Sequence, residues 1–296
     1  MKELTEPTIY GLHQTCFIEW FDVGQELEFS NLDPKSSSST KVQSPEITKK
    51  KDTFFHGRYA KYSARLGSVE YILKVQEDDF PELPVVEFVC NKIAALLSID
   101  IPKYYLIDFN GRTTFVTRNF MQDYPGGTLH HLYKFLPEGE ESHCCEKIIH
   151  VLLQQTGKLA DVAKFIEICL FDSFIGNNDR HGRNLGLIET SKQKKLAPMY
   201  DNPSFIGIEK EFILGAHFNP SGSIWTQDSK EPKPADYIYE FRKLGHDKIV
   251  LQFCSKVISR FSTITKAVME SNISQKRKEA FINILESRIE EFENAR

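Results

Sequence analysis

The pattern of apolar and polar positions divides the chain into an alternating first part and a helical second part. Residues 62–66 and 68–75 read as two strands around Gly67-Ser68. Behind Pro84, apolar residues at Val86, Val89, Cys90, Ile93, Leu96 and Leu97 fall at helical spacing, which predicts a helix that stops before Asp100-Ile101-Pro102. Residues 104–109 and 113–117 predict a second hairpin across Asn110-Gly111, a strong turn pair. Ahead of these, residues 8–29 are aromatic and partly alternating (Cys16, Ile18, Trp20, Phe21) and read as a strand or an ordered arm. Residues 31–52 are serine-rich and nearly without apolar positions, the composition of a flexible loop.

Beyond Tyr124-Pro125-Gly126-Gly127 the spacing turns helical. It predicts helices over 146–154 and 161–175, and two or three more over 248–269 and 275–293. Short strands are expected at 185–188 and 196–200, and 218–234 reads as a long irregular stretch. No internal repeat is visible. The expected fold is α+β in two lobes, a β-rich N-terminal lobe over 1–123 and a helical C-terminal lobe over 124–296, with the natural cleft between them.

Composition narrows the function. The 37 basic and 41 acidic residues give a net charge of −4, which argues against a protein that coats nucleic acid and leads us to expect no direct nucleic-acid binding. The longest apolar runs, such as 93–97 and 168–171, fall far short of the roughly 20 residues that span a bilayer. The first residues carry acids and a proline where a signal peptide has its apolar core. Six cysteines are too sparse for a disulfide framework, and Cys90 and Cys169 sit in apolar helical patterns as core thiols. Cys144 and Cys145 with His143 and His150 lack a second paired motif at zinc spacing, so no zinc site is assigned. A reducing, cytoplasmic location is expected.

The densest polar cluster, Gly176 to Asn184, follows the apolar face that ends at Ile175. Within it, Asp179 and Asn184 have the spacing of the catalytic aspartate and metal-binding asparagine of protein kinases. Two strand candidates follow and lead to a second carboxylate, Asp201, where a kinase carries its main Mg²⁺ ligand. Phosphoryl transfer needs these types: a carboxylate to position and deprotonate the acceptor hydroxyl, and hard oxygen donors for the cation that bridges the phosphates. Earlier in the chain, Lys74 lies in a strand pattern with Leu73 and Val75 on the opposite face, and Glu87 follows on the next helix. A strand lysine paired to a helix glutamate is how kinases hold nucleotide phosphates. Taken singly, each has an ordinary structural reading: a capped turn, an edge lysine, a solvated glutamate. All of them in kinase order is a far rarer coincidence.

The run from Asn178 through Asp179-Arg180-His181-Gly182-Arg183 to Asn184, followed by Leu196-Ala197-Pro198-Met199-Tyr200-Asp201, resembles the HipA-like serine/threonine kinases, the toxin kinases of bacterial toxin–antitoxin modules. The helix that leads to Asp100-Ile101-Pro102 is similar to that family's small-lobe helix. The resemblance covers the chain from about Phe54 onward. It implies a protein-kinase-like fold with an interlobe ATP cleft, Asp179 as catalytic base, His181 as a brace of its loop, and Asn184 and Asp201 as Mg²⁺ ligands. It further implies Lys74 on the ATP phosphates, Glu87 as its ion-pair partner, Gly57 in the glycine loop, and Thr117 and Phe120 where the hinge meets adenine. ATP and Mg²⁺ are the implied cofactors. A protein substrate, an aminoacyl-tRNA synthetase being the family's example, and an antitoxin are the implied partners. On this resemblance a compact, HipT-type member is expected, without the separate N-terminal subdomain of full-length HipA. It departs from the family in one place: Phe54 stands where the autophosphorylated serine is expected, although Gly57 and Lys61 remain. Thr53, Ser63 or the 36–39 serine tract are the nearby hydroxyls that could substitute. Two rival readings stay open: a phosphoinositide-type lipid kinase, whose catalytic loop is also Asp-Arg-His-x-x-Asn, and a pseudokinase that binds nucleotide without transferring phosphate.

Overall fold

The computed structural model describes residues 9–31, 61–136, 144–215 and 218–295. Its first sheet is antiparallel throughout, in the order β1-β2-β3-β5-β4, formed by β1 (Ser30–Asn31), β2 (Lys61–Leu66), β3 (Val69–Val75), β4 (Tyr104–Phe109) and β5 (Arg112–Arg118). The β4–β5 turn places Asn110 and Gly111 at φ of 54° and 74°, the two left-handed positions that a tight hairpin with the right twist requires. The two hairpins read from the sequence are therefore present, each strand within a residue of its expected bounds at either end.

In the segment expected as a strand or an ordered arm, the described residues 9–29 are not a strand. They form a two-turn helix, α1 (Gln14–Phe21), ending at Asp22 in a left-handed conformation. The four-residue spacing of Phe17 and Phe21 outweighs the alternation of Cys16, Ile18 and Trp20, because both rings are buried against the sheet. There they join Phe29, Tyr71, Tyr105 and Phe109 in one aromatic cluster, with Phe21 and Tyr105 4.5 Å apart between ring centroids.

The opposite face of the sheet meets α2 (Leu83–Leu96), with Pro84 in its first turn, a place where the missing N–H costs nothing. Phe88 meets the Tyr104 ring of that sheet edge-on at 5.5 Å, whereas Val86, Val89, Cys90 and Ile93 are buried in the core that α2 shares with the second half of the molecule. The helix is also tied to the second half of the molecule. Glu82 pairs with Arg277 at 3.1 Å and accepts from Ser274, while the Arg277 guanidinium donates to the carbonyls of Ile206 and Glu209.

In that half, α4 (Leu159–Ile175) is the axis, buried along most of its length and packed by α3 (Cys145–Thr156), α5 (Pro234–Lys243), α6 (Asp247–Met269) and α7 (Gln275–Glu293). Its Cys169, like Cys90 on α2, is a buried free thiol. A second sheet, in the order β6-β7-β8, joins β6 (Thr128–His131), β7 (Gly186–Glu189) and β8 (Lys194–Leu196). The expected strand over 196–200 ends at Leu196; past it, Met199 bonds to the carbonyl of Asp100 rather than to a strand. Residues 218–233 hold no helix or strand, so the irregular stretch read over 218–234 ends one residue early at the start of α5; it is fixed by single contacts such as Tyr237 Oη to the Ile224 carbonyl at 2.6 Å. No helix among the described residues is long and apolar enough to cross a membrane.

Candidate active site

Strand alternation turns Tyr71 and Leu73 toward the aromatic cluster and Ile72 and Lys74 toward the other face, where the cleft lies. Lys74 Nζ forms a buried ion pair with Glu87 of α2 and donates to Asp201 Oδ1 at 2.5 Å. The second carboxylate oxygen, Oδ2, accepts from Lys61 at 2.6 Å. Two ammonium groups and two carboxylates thus neutralise one another, largely buried, on the wall of the cleft. Burial works against the charge on Lys74, but Asp201 and Glu87 outweigh it and raise its pKa. Burial likewise favours a neutral Asp201, yet Lys61 and Lys74 overcome it and hold this carboxyl well below the usual carboxylate range. Glu87 is pushed up by burial, with Lys74 pulling the other way.

The loop after α4 is built around a left-handed Gly176, whose φ is 71° and whose position has no room for a side chain: a Cβ there would meet Pro220 Cγ at 2.8 Å. Asn177 donates to Asp172 and accepts from the backbone N–H of Asp179, and Asn184 Nδ2 donates to the Asp179 carbonyl at 3.0 Å. Asp179 itself is exposed. Its pKa is raised by the protein around it, while His181, Arg180 and Lys61 pull it back and Asp201 adds to the rise. The His181 pKa is lowered by burial, and its Nδ1 accepts from the Arg183 N–H at 3.2 Å.

The brace expected of His181 is provided in the main by its neighbour. Arg180 is buried and uses all five of its donors. Nε and Nη2 grip Asp172 of α4 at 2.7 and 3.0 Å, Nη1 donates to the carbonyls of Tyr200 and Asn184, and Nη2 reaches Asn202 Oδ1 at 2.8 Å. Asn202 passes the connection on to Asn91 of α2 at 3.1 Å. One guanidinium therefore holds the Asp179 loop, both flanks of Asp201 and, through two amides, the helix of Glu87. The signal in the sequence was Asp172, a carboxylate inside the apolar run of α4, which had to find a cation.

The cleft encloses about 870 Å³, counting the solvent at its mouth, and is lined by Lys61, Lys74, Glu87, Asn184 and Asp201 at one end. Thr117, Phe120, Met121 and Leu129 line the other, with Phe120 5.7 Å from the Tyr200 ring. Asp179 and His181 stand beside it rather than on its walls. Gly57 and Phe54 lie outside the described residues. Among those residues no three His, Cys, Asp or Glu side chains gather as an all-protein metal cage. The donors present, the Asp201 carboxylate and an Asn184 amide whose nitrogen is already engaged, suit a Mg²⁺ ion that completes its shell with phosphate and water.

A lysine–glutamate pair from a sheet and its covering helix thus faces an Asp–Asn loop across the cleft, and comparison with known proteins shows the family in which this arrangement sits. Residues 44–275 match the model of the HipA-like C-terminal domain. The chain belongs to that family. A curated relative from Sinorhizobium fredii, named "Putative kinase Y4dM", is 24% identical over 217 residues, 67% of this chain and 52% of its own. A Haemophilus influenzae protein, named "Putative kinase", is 28% identical over 150 residues, 44% of each chain. The chain spans about half the length of the curated relatives it matches. Among solved structures, the Helicobacter pylori proinflammatory kinase CtkA superposes with a TM-score of 0.66 at 15% identity, covering 79% of this chain and 92% of its own. Shewanella oneidensis HipA, solved with HipB and operator DNA, gives 0.55 at 15% identity over 76% and 58%. The fold of this HipA-like domain is thus the one that CtkA and HipA share.

Proposed function

We propose that the protein is an ATP- and Mg²⁺-dependent kinase that transfers the γ-phosphate to a serine or threonine hydroxyl of a protein. The observation that carries this reading is the convergence of Lys74, Glu87, Asn184 and Asp201 on one cleft, with an exposed Asp179 at its edge. The end lined by Phe120, Met121 and Leu129 suits a flat base; the charged end suits a triphosphate. Lys74, oriented by Glu87, would hold the phosphates, and Asp201 and Asn184 would hold Mg²⁺, which would supply neutralisation of the phosphate charge. Asp179 accepts the proton of the acceptor hydroxyl as its oxygen bonds to the γ-phosphorus; the bond to the β-phosphate oxygen breaks and ADP leaves. An aminoacyl-tRNA synthetase as substrate and an antitoxin as partner are extensions of the family resemblance, the second supported by the HipB bound to Shewanella HipA.

The test is transfer of labelled γ-phosphate from Mg²⁺-ATP to the protein itself and to a bacterial lysate, beside Asp179→Asn. We expect a labelled protein band that falls by about 10²–10⁴ in the variant, the usual worth of a positioned base. Label in the lipid fraction instead would favour the lipid kinase, and tight nucleotide binding without any transfer would favour the pseudokinase.

A further inference from the structure

Lys61 and Lys74 are opposite each other in the β2–β3 register, and both reach the same carboxylate, one to each oxygen of Asp201. Two like charges facing each other across a strand pair repel, so Asp201 is what allows both to stand there. They are not held alike. Lys74 is also paired to the buried Glu87, whereas the partner that the described residues give Lys61 is Asp201 alone. Lys61 sits at the first described residue of β2, on a flexible four-carbon stem.

We infer that Lys61 is a gate on the metal position: it occupies the Asp201 oxygen that a divalent cation needs, and yields it only when phosphates arrive with the cation. This inference rests on the kinase reading above. A bare dication entering between two ammonium groups meets repulsion and a carboxylate whose two oxygens are both engaged. A metal–triphosphate brings its own negative charge, which both relieves that repulsion and offers Lys61 a new partner as it turns from carboxylate to phosphate. Lys74 stays where Glu87 holds it, so the two lysines do different work from neighbouring positions: one is a fixed contact and the other is exchanged. The consequence is an order of binding, with metal and nucleotide entering together rather than metal first.

Mn²⁺ serves as the probe, titrated by electron paramagnetic resonance into the nucleotide-free chain. The expected result is weak Mn²⁺ binding by the original protein, tightening on the order of tenfold in Lys61→Met as one repelling charge is removed. Lys61→Arg, which keeps the charge, should bind as weakly as the original protein, and Lys61→Met combined with Asp201→Asn should lose the gain. In parallel, Lys61→Met should bind the Mg²⁺ complex of a non-hydrolysable ATP analogue more weakly than the original. Equal Mn²⁺ affinity in the original protein and in Lys61→Met, both folded by circular dichroism, overturns the gate while leaving the kinase reading intact if the Mg²⁺–analogue complex still binds. Failure of the original protein to bind that complex overturns both.

Discussion

The two buried cation centres of the site, Arg180 and the Lys61–Lys74 pair, are built to opposite specifications. Arg180 spends every donor on groups that belong to the protein: one carboxylate of α4, two backbone carbonyls and an asparagine amide. Its planar fork fits these in one geometry. The lysines share carboxylates instead, as point charges on flexible stems, and among the described residues they are the side-chain donors to their partner Asp201. A centre that is satisfied by its own fold is scaffold. A centre whose charges cancel only among themselves, on the wall of a cleft, is arranged so that a charged ligand can replace part of it.

That difference predicts a graded set of responses. The largest is on the scaffold side. Arg180→Met leaves Asp172 buried without its cation, and should lower unfolding free energy by about 3–5 kcal/mol in urea titration. Little change there would mean that the arginine is not the brace. On the ligand side, Glu87→Gln keeps the size of the side chain and a hydrogen bond to Lys74 but removes the charge. It should weaken nucleotide binding about tenfold, near 1.4 kcal/mol, with a melting temperature close to the original. A large loss of stability with unchanged affinity would reverse the two roles. The smallest effect is in pH. A base must be deprotonated to work, and the Asp179 pKa is raised, so kcat/KM should rise with pH through a midpoint above the ordinary aspartate value of 3.8. Asp201 acts in the opposite sense: its folded pKa is depressed, so the stability it contributes is present above the unfolded value near 3.9 and is lost as pH falls below that toward the folded one. Activity should therefore fade, on acidification, before the fold does.

The same contrast explains what could be read from the chain before its fold was known. Elements with one strong period were legible: both hairpins, α2, α4, α6 and α7 lie close to their expected bounds. So was the local spacing of Asp179 and Asn184, which the fold gathers into one loop beside the cleft. The segment before the first hairpin misled because its aromatic residues satisfy two periods at once, and only contact with Tyr71 and Tyr105 selects the helix. Strand β6 was missed because its four residues, Thr-Leu-His-His, gain strand geometry from pairing with β7 and not from their own pattern. Arg180 was hidden for a related reason. It was one of several polar residues in a loop, and its role depends on Asp172, Tyr200 and Asn202, which folding alone brings together.

The central claim is that the charged end of the cleft is a site for a metal-bound triphosphate. Titration calorimetry with a non-hydrolysable ATP analogue, with and without Mg²⁺, on the original protein and on folded Lys74→Met tests it most directly. The account predicts binding that requires Mg²⁺ and weakens at least about tenfold in the variant, the scale of one lost charge-assisted contact. Binding that is indifferent to both Mg²⁺ and Lys74 would contradict it.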